Sequence, residues 1–206
     1  MGKDSTMKDR IDLLIRANQA RVECRYQDAI EYYDRYLDKY NNNADVMHVL
    51  ALVHFQLDVE QPRRIGRSLK AIEWINKAIE QEPNKAEFYA TRGDIYNYGL
   101  DAPNYEEAAK SYRVALQLKP DLVSAHLGLA GLEGVPEQLV SLSEAIISVE
   151  KASQTQQENP DIFLRLGTLY FQAGQQNQAL VAYECALLRP RPLSLKNTDE
   201  IVQRLR

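Results

Sequence analysis

The sequence predicts an all-α fold in which pairs of helices repeat along the chain. Five short stripes of small and bulky apolar residues share the offsets four and seven, which place their members on one face of an α-helix. A second small residue follows each of the first four stripes at the same interval of 22 residues. Prolines lie near the helix ends that four of the stripes imply.

The stripes mark the second helix of each pair. Their members are, in chain order, Ala29, Tyr33 and Tyr36; Ala71, Ile75 and Ala78; Ala108, Tyr112 and Ala115; Ala145, Val149 and Ala152; and Ala179, Tyr183 and Ala186. Each first helix carries one small residue: Ala17, Ala51, Gly93, Ala130 and Gly167. The constant interval runs from 29 to 51, 71 to 93, 108 to 130 and 145 to 167. We therefore expect the same packing between successive pairs.

Small residues are expected where the two helices of a pair cross closely. Ala108 facing Gly93 would allow this approach, while Tyr96 and Tyr112 would fill the wider space on either side. Ala115 would then let the second helix pack against the first helix of the next pair.

The spacing within a pair varies and locates three insertions. The small residue precedes its stripe by 12 residues in the first and last pairs, but by 20, 15 and 15 residues in the central three. The inserted turns are LDVEQPRRIGRS, GLDAPNY and EGVPEQLVSLS, and we expect them along one edge of the array. Arg63, Arg64 and Arg67 make the tip of the first turn basic, so it is either an edge contact for an acidic partner or a phosphate, or a solvated loop.

The shortest pairs combine the intervals of 12 and 22 into a period of 34 residues, and the sequence thereby resembles the tetratricopeptide repeat (TPR) family. The most similar segments are AEFYATRGDIYNYGLDAPNYEEAAKSYRVALQLKP and DIFLRLGTLYFQAGQQNQALVAYECALLRP. The resemblance implies a right-handed superhelix, the TPR solenoid, with repeats at about 8–43, 44–85, 86–122, 123–159 and 160–192. Residues 1–7 are expected to form a leader, and residues 193–206 a capping helix or the start of a sixth repeat.

In this family the first helices line a concave groove that usually binds an extended peptide or a partner's helix. The resemblance therefore implies a protein-binding groove lined by Asn18, Arg21, His48, Leu52, Phe55, Asp94, Asn97, Leu127, Gly131, Leu164, Arg165, Thr168 and Phe171. Three glycines in the fourth repeat, Gly128, Gly131 and Gly134, have two interpretations. They leave a bare helix face for a partner's backbone, or they make room for side chains of flanking repeats, with Gly134 ending the helix.

The residues of the groove also restrict its ligand. Family members that bind acidic chaperone tails grip carboxylates with Lys, Asn, Asn, Lys and Arg on three successive first helices. Asn18 matches one of these positions, but the others hold unsuitable residues: Leu14, Val49, Glu87 and Thr91. Four acidic residues would lie on the groove: Asp45, Glu87, Asp94 and Asp161. A basic or apolar ligand is therefore expected rather than an acidic C-terminal tail.

Composition excludes several other kinds of function. The net charge of −4 lacks the excess of Lys and Arg that a duplex-binding surface needs, so nucleic acid is not an expected partner. Cys24 and Cys185 are isolated, which predicts small apolar residues of helices in a reducing, cytoplasmic setting. No secretory signal or membrane-spanning run is visible. Gly2 and Thr6 match a loose acylation pattern, but one Gly and one Thr make a weak pattern, and a solvated leader is the favoured interpretation.

No catalytic, metal or cofactor site is predicted, because His48, His54 and His126 lack metal-ligand spacing and a neighbouring acid or cysteine. The sequence therefore favours a protein that is not an enzyme. Three functions remain open. The chain is a scaffold that binds a peptide or helix in its groove, a structural subunit or assembly factor that docks through the inserted turns, or a regulatory TPR region of a larger protein. Self-association through terminal repeats is compatible with each.

Overall fold

The computed structural model describes residues 2–40, 43–60, 67–99 and 102–189. Within these ranges the α-helices are α1 (Gly2–Val22), α2 (Tyr26–Tyr40), α3 (Ala44–Glu60), α4 (Arg67–Gln81), α5 (Ala86–Asp94), α6 (Tyr105–Leu118), α7 (Val123–Ala130), α8 (Leu142–Thr155), α9 (Pro160–Gln172) and α10 (Gln176–Leu188). A π-helical turn, Ile95–Gly99, continues α5. The same ranges contain one isolated bridge, between Glu133 and Val140, and no β-strand. The predicted all-α fold class is confirmed.

Consecutive helices pack in pairs, as the repeat pattern predicts. The pairs are α1 with α2, α3 with α4, α7 with α8 and α9 with α10. A second helix also packs on the first helix of the following pair, as α2 does on α3, α4 on α5 and α8 on α9. The chain divides within α6 into two compact units, Met1–Ser111 and Tyr112–Arg206, which we call unit 1 and unit 2.

The stripes lie at the centre of the packing in both units. All fifteen stripe residues are at most 2% exposed. Their burial follows from spacing alone, since residues four and seven positions apart share one face of a helix wherever that helix packs.

In the α9/α10 pair an aromatic ring packs directly against Gly167. A Cβ atom on Gly167 would lie 2.6 Å from Cδ1 and Cε1 of Tyr183. For the third repeat, the sequence predicts that Ala108 faces the small residue Gly93, with the ring of Tyr112 to one side. A ring needs more depth than a methyl group, and the missing side chain of Gly167 provides it.

α1 and α9 end in the same left-handed turn. The φ angle is +57° at Cys24 and +72° at Gly174, which follow Ala17 and Gly167 by seven residues. The N–H of Arg25 donates to the carbonyl oxygen of Ala20 at 2.8 Å, and the N–H of Gln175 donates to that of Tyr170 at 2.9 Å. These are the six-to-one bonds of a Schellman motif. Cys24 is thus an exposed turn residue rather than the helical residue that the sequence predicts.

The shared turn makes Cys24→Gly a stabilising substitution. Left-handed φ costs an L-residue about 1 kcal/mol and costs glycine almost nothing, so we expect a gain of about 1 kcal/mol in the free energy of unfolding. Gly174→Ala, at the equivalent position, should lose about the same amount. Urea denaturation followed by circular dichroism measures both. Equal stability of Cys24→Gly and Cys24→Ala would contradict the account.

One predicted helix end is wrong, and other predictions cannot be compared. α1 begins at Gly2, so residues 2–7, which the sequence assigns to a leader, are helical and continuous with α1. α7 ends at Ala130, so Gly134, with φ +82°, belongs to the inserted turn of the fourth repeat and does not end the helix. That turn is packed, because Val140 is buried and Arg113 Nη2 donates to the carbonyl oxygen of Leu139 at 2.9 Å. Residues 61–66, 100–101 and the predicted capping segment 193–206 lie outside the described residues.

Candidate interaction surfaces

A small pocket in unit 1 brings together predicted groove residues from two first helices. Arg21 of α1 and Leu52 of α3 line it, and its volume is about 280 Å³. Three further residues that sequence reasoning missed complete the lining: Tyr26, Val53 and Gln56. Val53 is 1% exposed and Leu52 is half-buried, whereas Arg21 and Gln56 are exposed. The pocket therefore has an apolar floor and a polar rim.

Asn18 is held in place by hydrogen bonds within the protein. Tyr33 Oη donates to Asn18 Oδ1 at 2.9 Å, and Asn18 Nδ2 donates to the carbonyl oxygen of Leu14 at 3.0 Å. Burial raises the pKa of Tyr33, and the nearby Arg21 opposes that shift. The phenol therefore keeps its proton at neutral pH and acts as the donor. Asn18 consequently fixes α1 against α2.

His48 joins α3 to α5 on the same side of unit 1. Its Nε2 lies 2.8 Å from Thr91 Oγ1, and its ring centroid lies 4.8 Å from that of Phe88. Burial lowers the pKa of His48, with smaller opposing effects of the Asp45 and Glu87 charges. The neutral imidazole of His48, held by the hydroxyl group of Thr91, is a structural contact between two first helices. The His48 side chain is half-buried, so only part of it is accessible on the predicted groove.

The other predicted groove residues of unit 1 differ in accessibility. Phe55 and Asp94 are half-buried. Asn97 is only 6% exposed, so its side chain is not presented on a surface. Asn97 lies in the π-helical turn, and the wider backbone of such a turn changes which residues face the core. No sequence pattern predicts this turn.

Unit 2 contains the remaining predicted groove residues. Phe171 is 52% exposed and Arg165 is exposed, while four others are half-buried: Leu127, Gly131, Leu164 and Thr168. Arg165 Nη2 donates to the carbonyl oxygen of Ala130, the last residue of α7, at 2.8 Å. Thr168 Oγ1 donates to the carbonyl oxygen of Leu164 at 3.0 Å. Arg165 thus satisfies a terminal helix carbonyl, and Phe171 is the largest apolar group that unit 2 exposes among these residues.

Gly128 makes room for a side chain rather than for a ligand. It is buried, and a Cβ atom on it would lie 2.4 Å from Cε1 and Cζ of Tyr112. Tyr112 belongs to the second helix of the preceding repeat and is 0% exposed. Of the two interpretations of the glycines, the structure supports space for a flanking repeat at Gly128.

The charges near the predicted groove are partly compensated. Lys85 Nζ lies 2.7 Å from Asp45 Oδ1 and 2.9 Å from Glu82 Oε2. The pocket of unit 1 itself carries a cation, Arg21. A basic ligand group would therefore gain little charge attraction at this pocket.

Unit 2 also has two grooves on its second helices that sequence reasoning missed. One, of about 580 Å³, is lined by α6, α7 and α8, and the other, of about 360 Å³, lies between α9 and α10. Ile147 and Val181 occupy the same position in the two grooves and are 53% and 58% exposed. The equivalent residues of the first three repeats are charged: Glu31, Glu73 and Lys110. That change from charged to apolar residues was the available sequence signal.

His126 lines the larger groove but is tied to the protein. Its Nε2 donates to the carbonyl oxygen of Pro120 at 2.9 Å, which assigns the proton to that nitrogen. Burial lowers the pKa of His126, so the imidazole is neutral at pH 7. The arrangement fixes the turn before α7 and provides no acid–base partner.

The remaining predicted features concern charges, metals and membranes. Arg63 and Arg64 lie outside the described residues, and Arg67 is the first residue of α4. Across the described ranges, no group of three or more His, Cys, Asp and Glu side chains could hold a metal ion. No helix in those ranges combines the length and apolar character needed to cross a membrane.

Several solved structures share this arrangement of helices. A thermophilic TPR protein of Thermus thermophilus is 19% identical, with a TM-score of 0.68 over 95% of this chain and 98% of that chain. PilF of Pseudomonas aeruginosa is 18% identical, with a TM-score of 0.72 over 99% of this chain and 90% of that chain. MamA of Desulfovibrio magneticus, from residue 41 to its end, is 13% identical, with a TM-score of 0.67 over 87% and 93%. No protein-family model and no curated protein matches the sequence.

Proposed function

We propose that this chain, which has the tetratricopeptide-repeat fold, is a non-catalytic protein-interaction module whose unit 1 binds a segment of a partner protein. The observation that carries the proposal is the pocket in which Arg21 of α1 and Leu52 of α3 meet. Repeat scaffolds of stacked helices commonly bind their partners on surfaces that successive repeats build together. The fold and the pocket both support such a role.

The chemistry of the pocket defines the part of the partner that it would hold. The half-buried Leu52 offers apolar surface, with the buried Val53 and Tyr26 behind it, and such a surface suits one aliphatic or aromatic side chain. The guanidinium group of Arg21 at the rim can donate hydrogen bonds to a backbone carbonyl or a carboxylate of the same segment. We therefore propose an extended or helical segment with an apolar anchor, in place of a basic one.

The residues around the pocket are held before any partner binds. The Tyr33–Asn18 bond fixes α1, and the contact of His48 with Thr91 fixes α3 relative to α5. A preformed surface loses little conformational entropy on binding, so the ordering cost falls on the partner segment. His48 and His126 are engaged with Thr91 and a backbone carbonyl, which suits a structural role better than acid–base catalysis.

Leu52→Glu tests the proposal directly. A charge on the apolar floor should weaken partner capture at least about tenfold, because burying one leucine contributes about 1.5–3 kcal/mol and the carboxylate must also lose its water. A photo-crosslinking residue at Gln56, used in native lysate with mass spectrometry, identifies the partner and quantifies its capture. Leu69→Glu is the matched control, because Leu69 is 65% exposed on α4 and lines none of the pockets above.

The same experiment separates the alternatives. Equal capture by the wild-type chain and Leu52→Glu would end the proposal for unit 1. If shortening the inserted turn between α7 and α8 then removes capture, an assembly factor that docks through its turns is the better account. Phe171→Glu asks the same question of unit 2.

A further inference from the structure

α1 carries an apolar stripe that faces away from the protein core. Met7, Ile11, Ile15 and Val22 are 65%, 52%, 58% and 73% exposed. Their spacing of four, four and seven residues places all four on one side of the helix. Four large apolar side chains in one row are a patch, unlike the single exposed residues that are normal on protein surfaces.

The core-facing side of α1 is separate from this stripe. Leu13, Ala17 and Ala20 are 6%, 0% and 0% exposed and pack in unit 1. At 100° per residue these three lie on the opposite side of the helix from Ile11 and Ile15. α1 is therefore apolar on two sides, and the four exposed side chains of the stripe add little to the packing of unit 1.

The other repeats show that the fold does not require an apolar residue in the stripe. Ile11 lies six residues before the small residue Ala17. The residues at this position in the other first helices are polar and exposed: Asp45, Glu87, Ser124 and Asp161. An isoleucine at a position that is otherwise solvated indicates a contact outside the repeat pattern.

The charges beside the stripe alternate in sign along α1 and the turn that follows it. Lys8, Asp12, Arg16 and Glu23 lie on one flank of the stripe and read positive, negative, positive, negative. Read in reverse, the same row has the opposite sign at every place. Within one chain, Arg16 pairs with Asp12 at 2.9 Å and Arg25 pairs with Glu23 at 2.7 Å, and both pairs are exposed to solvent. Two antiparallel copies of α1 place this flank of one helix against the same flank of the other, so Lys8 comes near Glu23 of the other copy and Asp12 near Arg16, and the exposed pairs can exchange partners.

We propose that the stripe is a self-association surface, on which α1 of a second copy of this chain lies antiparallel. The two-fold axis passes near Ile15, so that Ile15 contacts its own counterpart and Met7 lies near Val22 of the other copy. Such an isologous contact is the commonest way in which identical chains pair. One helix face from each copy is a small interface, so the dimer is weak and forms at high protein concentration.

The first test is sedimentation velocity of the whole chain from about 1 to about 500 μM, the range in which so small an interface dissociates. Wild-type protein should shift from monomer to dimer across this range. Ile11→Glu with Ile15→Glu should raise the dissociation constant at least about 100-fold, because the two copies together lose four isoleucine side chains from the contact and gain four carboxylates. Both residues are more than half exposed, so folding is unaffected. Leu69→Glu, an exposed leucine on α4, should dimerise as the wild type does.

A charge exchange tests the antiparallel direction. Lys8→Glu alone should weaken the dimer about threefold to tenfold, since it creates two like-charge contacts. Lys8→Glu combined with Glu23→Lys should restore the wild-type constant to within about twofold. A monomer at every concentration, or a dimer unchanged by the two glutamates, overturns the proposal. A double exchange weaker than either single change overturns the antiparallel pairing. Leu52→Glu should dimerise normally, which separates this result from the test of the pocket.

Discussion

Tyr183→Ala is expected to lower the free energy of unfolding by about 3–5 kcal/mol. The Tyr183 side chain is 1% exposed, and its ring fills the space that Gly167 leaves open. Leu164 and Tyr170 also pack against the small cluster that Tyr183 forms with Ala179. Alanine would remove these contacts and leave a cavity that the rigid α9/α10 pair cannot close, so both the transfer of the ring and the cavity contribute.

Urea denaturation followed by the circular dichroism of the helices measures this loss. Phe171→Ala is the matched control, because it removes an aromatic ring of unit 2 that is 52% exposed and should cost no more than about 0.5–1 kcal/mol. Equal losses for the two variants would show that the ring of Tyr183 does not hold the pair together.

Gly128→Ala is expected to destabilise the protein by about 1–3 kcal/mol, although alanine normally favours a helix by about 1 kcal/mol. The new Cβ atom would lie 2.4 Å from the ring of Tyr112, which is 0% exposed and cannot turn into solvent. The overlap must be relieved by moving α7 or the ring, and both movements disturb close packing.

A double-mutant cycle isolates this contact. Tyr112→Leu removes the ring atoms that clash, so Gly128→Ala should cost at least about 1 kcal/mol less in that background than in the wild type. Ser124→Ala on the exposed side of α7 provides the control for helix propensity alone and should change stability by less than about 0.5 kcal/mol. If the stability losses of Gly128→Ala and Tyr112→Leu were additive, the clash with the Tyr112 ring would not be the reason for glycine at position 128.

These two predictions concern one feature of the packing. Gly167 meets the tyrosine of its own repeat, and Gly128 meets the tyrosine of the preceding repeat. In both cases the absence of a glycine side chain makes room for a tyrosine ring. The two glycines lie on different faces of their first helices. Packing against a neighbouring tyrosine ring therefore accounts for both glycines without a ligand.

The helix pairs could be predicted well because their signal is local. Offsets of four and seven identify the buried face of a helix whatever packs against it, and all fifteen stripe residues are buried. The left-handed turn at Gly174 follows the same logic, because glycine marks a backbone conformation. Cys24 has the same left-handed φ, but residues 21–26 contain no glycine that would have predicted it.

The candidate site was less predictable because exposure depends on neighbours. Arg21 and Leu52 lie 31 positions apart and meet only through the packing of α1 and α3 against α2 and α4. Asn97 and Gly128 hold positions that a regular repeat would present to a partner, yet a π-helical turn and the ring of Tyr112 bury them. The residue pattern within a single helix does not predict these contacts between helices.

The sequence by itself determined which residues form each helix pair and which face each helix buries, since hydrogen bonding and side-chain period within a helix are local properties. Only the tertiary structure decided how deep a ring enters a neighbouring helix, where α7 ends, and which side chains of α1 remain exposed. Those outcomes depend on atoms that are distant in the chain and compete for the same space.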